Sequence, residues 1–200
     1  MSDKDLSGII PMDDDVTFYP ADEARLRSYQ EANEALSRFE VPRLIDHGNP
    51  HERLYIAAFD GTGNDQYKDP LHATNVARLD NQLRALSKTD SQVYTNYLEG
   101  PGTQKNLLTR TIDAALGYTY EERLEKMYAD LVDKAQEWRQ ADPNVNIRVL
   151  STGFSRGASQ AAGFTNLLHE RGIVDPTSRS FDANGEIIYT RHIAPPGMTP

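Results

Sequence analysis

A chain of 200 residues is long enough to bury about 70% of its unfolded surface, as one large domain or two small ones. With 21 Lys and Arg against 30 Asp and Glu, its net charge is −9, which argues against binding duplex nucleic acid through a basic face. It has no cysteine, which excludes disulfides, thiolate metal sites and cysteine nucleophiles; no apolar run approaches the roughly 20 residues of a membrane-spanning segment.

Met1–Pro20 carries five acids and one Lys, is interrupted by Pro11 and reads as an acidic leader, either a solvated tail or a docking segment for a partner. Its first residues lack a basic stretch followed by an apolar one, so no secretory signal is expected. Ala21–Phe39 is rich in helix formers and stops before Pro42; Leu26, Tyr29, Ala32, Leu36 and Phe39 recur at three- and four-residue spacing, so one face is expected to pack. After Asn49-Pro50 the first convincing strand is Arg53–Phe59. Thr74 then caps a helix to about Ser87 with a Val76, Leu79, Leu83, Leu86 stripe, and Gln92–Leu98 is a second strand. Lys105–Tyr118 is ambiguous: its leucines suggest a helix, which Gly117 ends. Thr119 and Glu122 form a capping box opening a long helix, striped by Tyr120, Leu124, Tyr128, Leu131, Ala135 and Trp138. Val145–Thr152 is a third strand, followed by a helix from Arg156 to about Arg171. Strands alternating with helices of this length predict an α/β fold with a mostly parallel, doubly wound sheet covered on both faces.

Two turns in this pattern can carry chemistry. Gly153-Phe154-Ser155-Arg156-Gly157 fits G-x-S-x-G where a strand hands over to a helix, the context of a nucleophile elbow. There the serine occupies a strained backbone conformation, side chains flanking it by two residues would collide, and the amide of Arg156 would stabilise an oxyanion. The competing reading is an ordinary glycine-rich turn whose serine caps the helix. Phe59-Asp60-Gly61-Thr62-Gly63-Asn64 follows the first strand at the ligand-binding edge of a parallel sheet. It lacks the Gly-Lys-Ser/Thr of a phosphate-binding P-loop. Ala58 stands where a D-x-D-G-T phosphatase needs its nucleophilic Asp. Two readings remain. One is an oxyanion loop, with amides at Gly61 and Thr62 oriented by Asp60; the other is a plain Asp-capped turn.

FDGTGN at Phe59–Asn64, TNVARL at Thr74–Leu79, YLEGPGT at Tyr97–Thr103 and GFSRGA at Gly153–Ala158 occur in this order. Together, over about Arg53 to Ile173, they resemble the catalytic domain of type VI secretion phospholipase effectors of the GxSxG class. Gly63 departs from the pattern, since many relatives carry a bulky aromatic there. The resemblance implies an α/β-hydrolase-like fold and a Ser-Asp-His hydrolase of membrane phospholipid esters. Ser155 would be its nucleophile, with Gly61, Thr62 and Arg156 at the oxyanion. It implies no cofactor or metal, a lipid or other ester substrate, and secretion-apparatus and immunity-protein partners. Residence in the producer's cytoplasm, with delivery into target cells without a signal peptide, would follow.

On this reading residues 1–50 are a leader plus helix, and residues 51–200 the N-terminal part of a catalytic domain. In such folds the acid and base follow the serine in the chain. His169 lies far down the helix that Ser155 opens and suits a partner of the helix dipole. Asp175 falls past that helix, and Asp182 sits in a turn between short hairpin arms. His192 is the one downstream histidine that could swing toward Ser155; His72 precedes it in the wrong order. The acid and base are therefore expected beyond Pro200, with Ile187–Ile193 leading to a further strand and Ala194-Pro195-Pro196-Gly197 an interrupted connection. A non-catalytic binding module that keeps the elbow for structural reasons is the alternative from another class.

Overall fold

Glu52–Phe59 forms β1, the central strand of the computed structural model, which describes residues 22–40, 43–101 and 118–197. The acidic leader and most of the ambiguous Lys105–Tyr118 segment lie outside those residues. The chain divides into two units, Met1–Pro42 and Arg43–Pro200. In the first, α1 spans Glu23–Ser37, with the Asp22 carboxylate accepting from Arg25 N–H. None of its residues is buried, against the expectation that its apolar stripe packs: it is the one element described in its unit, and a single helix has no second layer to cover that stripe.

The second unit contains a parallel sheet in the order β2-β1-β3, where β2 is Val93–Leu98 and β3 is Asn146–Gly153. Every residue of β1 except Arg53 is buried, as expected of a strand covered on both faces. Alternation decides which side chain meets which layer. Tyr55, Ala57 and Phe59 join a cluster with Leu124, Met127, Leu131 and Phe164, from α3 (Tyr118–Ala141) and α4 (Arg156–Arg171). On the opposite face Ala58 packs against Val76 and Ala77 of α2 (Asn75–Leu86), while Leu54 and Ile56 meet Leu83. Fully buried side chains of this size each contribute about 1.5–3 kcal/mol. Ile45 also packs against Leu54 and Ile56, so the stretch before Asn49-Pro50 belongs with this unit.

Thr74 caps α2 as its sequence predicts, accepting from Ala77 N–H at 3.1 Å. The buried side of α2 is Val76, Ala77 and Asp80, however, whereas Leu86 is exposed. The expected capping box falls on Thr119, whose side chain lies outside the described residues; the helix already includes Tyr118, making Thr119 its second residue.

Beyond α4 the chain forms small antiparallel pairs. β4 (Ile173–Val174) pairs with β7 (His192–Ala194), and β5 (Arg179–Phe181) with β6 (Ile187–Tyr189) around the Asp182–Gly185 turn. Ile187–Ile193 therefore does not run as one strand: the first part closes a hairpin, and the second returns to β4. Gly197 N–H donates to the His169 carbonyl at 2.8 Å, which ties the Pro195-Pro196 segment to the end of α4.

At the opposite end of the sheet, Glu52 accepts from Asp46 N–H at 2.7 Å and from Arg148 of β3 at 2.9 Å. The backbone bond from Asp46, assisted by Arg148, holds its carboxyl below the usual range. A carboxylate depressed in the folded state contributes stability that is present above its unfolded pKa and lost as pH falls through its folded value. Denaturation midpoints are therefore expected to drop from about pH 5 downwards, and Glu52→Gln should give a shallower slope than the unaltered chain in the same titration.

Candidate active site

β1 and β3 pair from Glu52 and Asn146 to Phe59 and Gly153, so they end level and their following turns lie side by side. Phe154 N–H donates to the Phe59 carbonyl at 3.1 Å. The approach is close enough that a Cβ on Gly157 would strike the carbonyl oxygens of Phe59 and Asp60, and one on Gly153 would strike the Gly157 carbonyl. Between these glycines Ser155 has φ 55° and ψ −124°, the one positive φ of a non-glycine residue among those described. Asp22 and Thr74, which cap α1 and α2, have φ of −72° and −65°, and both accept a helix N–H. Ser155 makes no such bond, so its hydroxyl is not spent on capping α4.

The Asp60–Asn64 loop meets this turn directly. The Phe154 ring lies against Gly61, and Arg156 Nε donates to Thr62 Oγ1. Gly61, Thr62, Ser155 and Arg156 are thus brought together from segments some ninety residues apart. Asp60 is fully buried beneath them. Its carboxylate accepts from Gly61 N–H at 2.7 Å, from Thr74 Oγ1 at 2.8 and 2.9 Å, and from the Tyr97 hydroxyl at 2.6 Å. Burial, reinforced by the bond to Asp60, pushes the Tyr97 phenol far above its ordinary pKa, so it stays a donor. The segment after β2 braces the loop from the other side: Gly100 N–H donates to the Asn64 carbonyl at 2.7 Å, and Gly63 N–H to the Pro101 carbonyl at 3.0 Å. Buried Arg123 of α3 in turn donates to the Glu99 carbonyl and to Gln160 of α4.

Sequence reasoning named Asp60 but neither Tyr97 nor Arg123, and it gave Thr74 only its cap. Both Thr74 and Tyr97 open motifs quoted above, TNVARL and YLEGPGT, which was the available signal. A second buried carboxylate, Asp80, also went unnoticed; it accepts from Gln66 and Thr95 at 2.8 Å and from Arg84 at 2.6 Å.

Among the described residues no histidine ring is hydrogen-bonded to Ser155. The His51 ring sits 2.8 Å from Asp142, that of His72 3.0 Å from Asp69, and that of His47 3.3 Å from Gln92. His169 lies in the last turn of α4. His192 is held in β7 opposite Val174, past the far end of α4. At 1.5 Å per residue that helix puts it about 24 Å along the axis from Ser155, so the expectation that it could swing in is corrected. Asp175 caps a short 3-10 turn by accepting from Thr177 N–H at 2.9 Å, and Asp182 closes the hairpin turn.

A cavity of about 510 Å³ opens beside the Ser155 turn between α2 and the end of β3; Thr74, Val76, Arg78, Leu79, Gly153 and Phe154 contribute to its lining. Among the described residues no group of three or more His, Asp or Glu side chains is disposed to hold a metal ion, and no helix is long and apolar enough to cross a membrane.

Residues 53–192, more than half of the chain, match the family model described as T6SS, Phospholipase effector Tle1-like, catalytic domain. No curated protein and no solved structure matches.

Asp60→Ala would leave the Gly61 amide and the Thr74 and Tyr97 hydroxyls without their acceptor. At about 1–3 kcal/mol for each buried orphan, a loss of roughly 3 kcal/mol or more is expected in chemical denaturation. Asn in its place retains an acceptor oxygen and should lose less.

Proposed function

We infer the chemistry of this chain from the family it belongs to, the Tle1-like phospholipase effectors of the type VI secretion system, whose catalytic domain it matches. In our reading it is a serine hydrolase of α/β-hydrolase type that cleaves lipid esters, with Ser155 as nucleophile. The observation that carries this is the Ser155 backbone, φ 55° and ψ −124°, at the carboxyl end of a parallel strand. Such a conformation costs of order 1–3 kcal/mol in a non-glycine residue. A helix-capping serine would have no reason to bear that cost, since Thr74 caps α2 from an ordinary φ of −65°.

The steps are those of acyl transfer. Ser155 Oγ attacks the ester carbonyl carbon as a base takes its proton, and the carbonyl oxygen gains negative charge. Amides of Arg156 on one side and of Thr62 on the other receive that charge; the Gly61 amide, expected to share it, donates instead to Asp60. Asp60 fixes the loop that carries the Thr62 amide by accepting the Gly61 N–H, and the contact of Arg156 Nε with Thr62 Oγ1 holds the two donor segments together. Collapse releases the lipid alcohol and leaves an acyl-serine, which water hydrolyses to the free fatty acid. The substrate is a lipid ester, with delivery into target cells by a secretion apparatus and neutralisation by an immunity partner in the producer.

A fluorophosphonate probe tests the nucleophile. In the full-length protein it should label Ser155, and Ser155→Ala should abolish labelling. A folded protein that stays unlabelled would instead mark a non-catalytic module.

A further inference from the structure

The reading above leaves the cavity beside Ser155 without an assigned occupant. Its walls include Ala73, Val76, Leu79 and Phe154, and among the described residues that line it the one cation is Arg78 of α2. Several arginines of the chain are committed to carboxylates. Arg84 meets Asp80 at 2.6 Å, Arg148 meets Glu52 at 2.9 Å and Arg171 meets Glu125 at 2.7 Å. Arg78 is exposed and has no ion pair or hydrogen bond from its guanidinium to any described residue. An apolar recess with an exposed guanidinium at its wall suits an amphiphile that carries one anionic group.

Position narrows the chemistry further. Arg78 lines the same cavity as Gly153 and Phe154, the two residues that lead into Ser155. A glycerophospholipid carries its phosphodiester a few bonds from its ester carbonyls, so one cavity can receive both groups. The planar fork of arginine can take two phosphate oxygens at once. We propose that Arg78 binds the phosphodiester of a glycerophospholipid whose acyl ester is presented to Ser155, and so selects phospholipids over neutral glycerides. This rests on the reading of Ser155 as the nucleophile. The apolar walls would hold the first methylenes of an acyl chain, and a neutral diacylglycerol would gain those contacts without the charge pairing.

Binding tests this without turnover. In the Ser155→Ala background, calorimetry compares dihexanoylphosphatidylcholine with dihexanoylglycerol, both below their aggregation limits. Arg78→Gln should weaken phosphatidylcholine binding at least tenfold and leave diacylglycerol within twofold, while Arg78→Lys falls between. Glutamine and lysine are both good helix formers, so α2 is retained in either variant. Equal losses for the two lipids, no loss for either, or no phosphatidylcholine binding by the Ser155→Ala parent would each overturn the proposal. Failure of probe labelling at Ser155 would strike the hydrolase reading instead, and leaves the binding comparison valid.

Discussion

A carboxylate without solvent must find donors, and the fully buried Asp60 finds them on three separate segments. Its own following amide, the Thr74 hydroxyl and the Tyr97 hydroxyl converge on it, so the loop after β1, the start of α2 and the end of β2 share one anchor. Thr74 is used in both directions: its hydroxyl proton goes to Asp60, and its oxygen accepts the Ala77 amide. The helix cap and the loop geometry are therefore one hydrogen-bonded unit. Loosening any member would release the others, which is the usual behaviour of a buried polar network.

Asp80 repeats the device one layer further along the same helix. Gln66 belongs to the chain just after the glycine loop, Thr95 to β2 and Arg84 to α2 itself, and all three donate to it. The amide of Gln66 also donates to the Tyr97 hydroxyl at 3.3 Å, so the two networks meet at one tyrosine. The α2 face of the sheet is thus held substantially by polar contacts, while the α3 and α4 face is held by Phe59, Phe164, Met127 and Leu131.

Periodicity and punctuation made most of the architecture legible. β1 was expected at Arg53–Phe59 and runs Glu52–Phe59, α4 has its expected bounds, and the Thr74 cap is made as anticipated. The candidate residues were legible because two glycine-bearing motifs each followed a strand in a parallel pattern, which forces them to one edge. What was not legible depended on contacts between distant positions. Asp80 looks like a solvated helix residue until Gln66 and Thr95, 14 and 15 residues away, are seen to close over it. Tyr97 alternates correctly for a buried strand residue, yet nothing in that alternation says its hydroxyl meets Asp60. That His192 lies out of reach of Ser155 was likewise hidden, because it follows from the pairing of its segment with β4.

The Ser155 torsion sets stability against side-chain chemistry. Glycine adopts positive φ without the steric penalty of a Cβ, so folding alone would be served better by glycine at this position. Serine at the same torsion keeps a hydroxyl at the sheet edge and gives up part of the stability that glycine would retain. Stability and the placement of the hydroxyl are thus in opposition at this one residue.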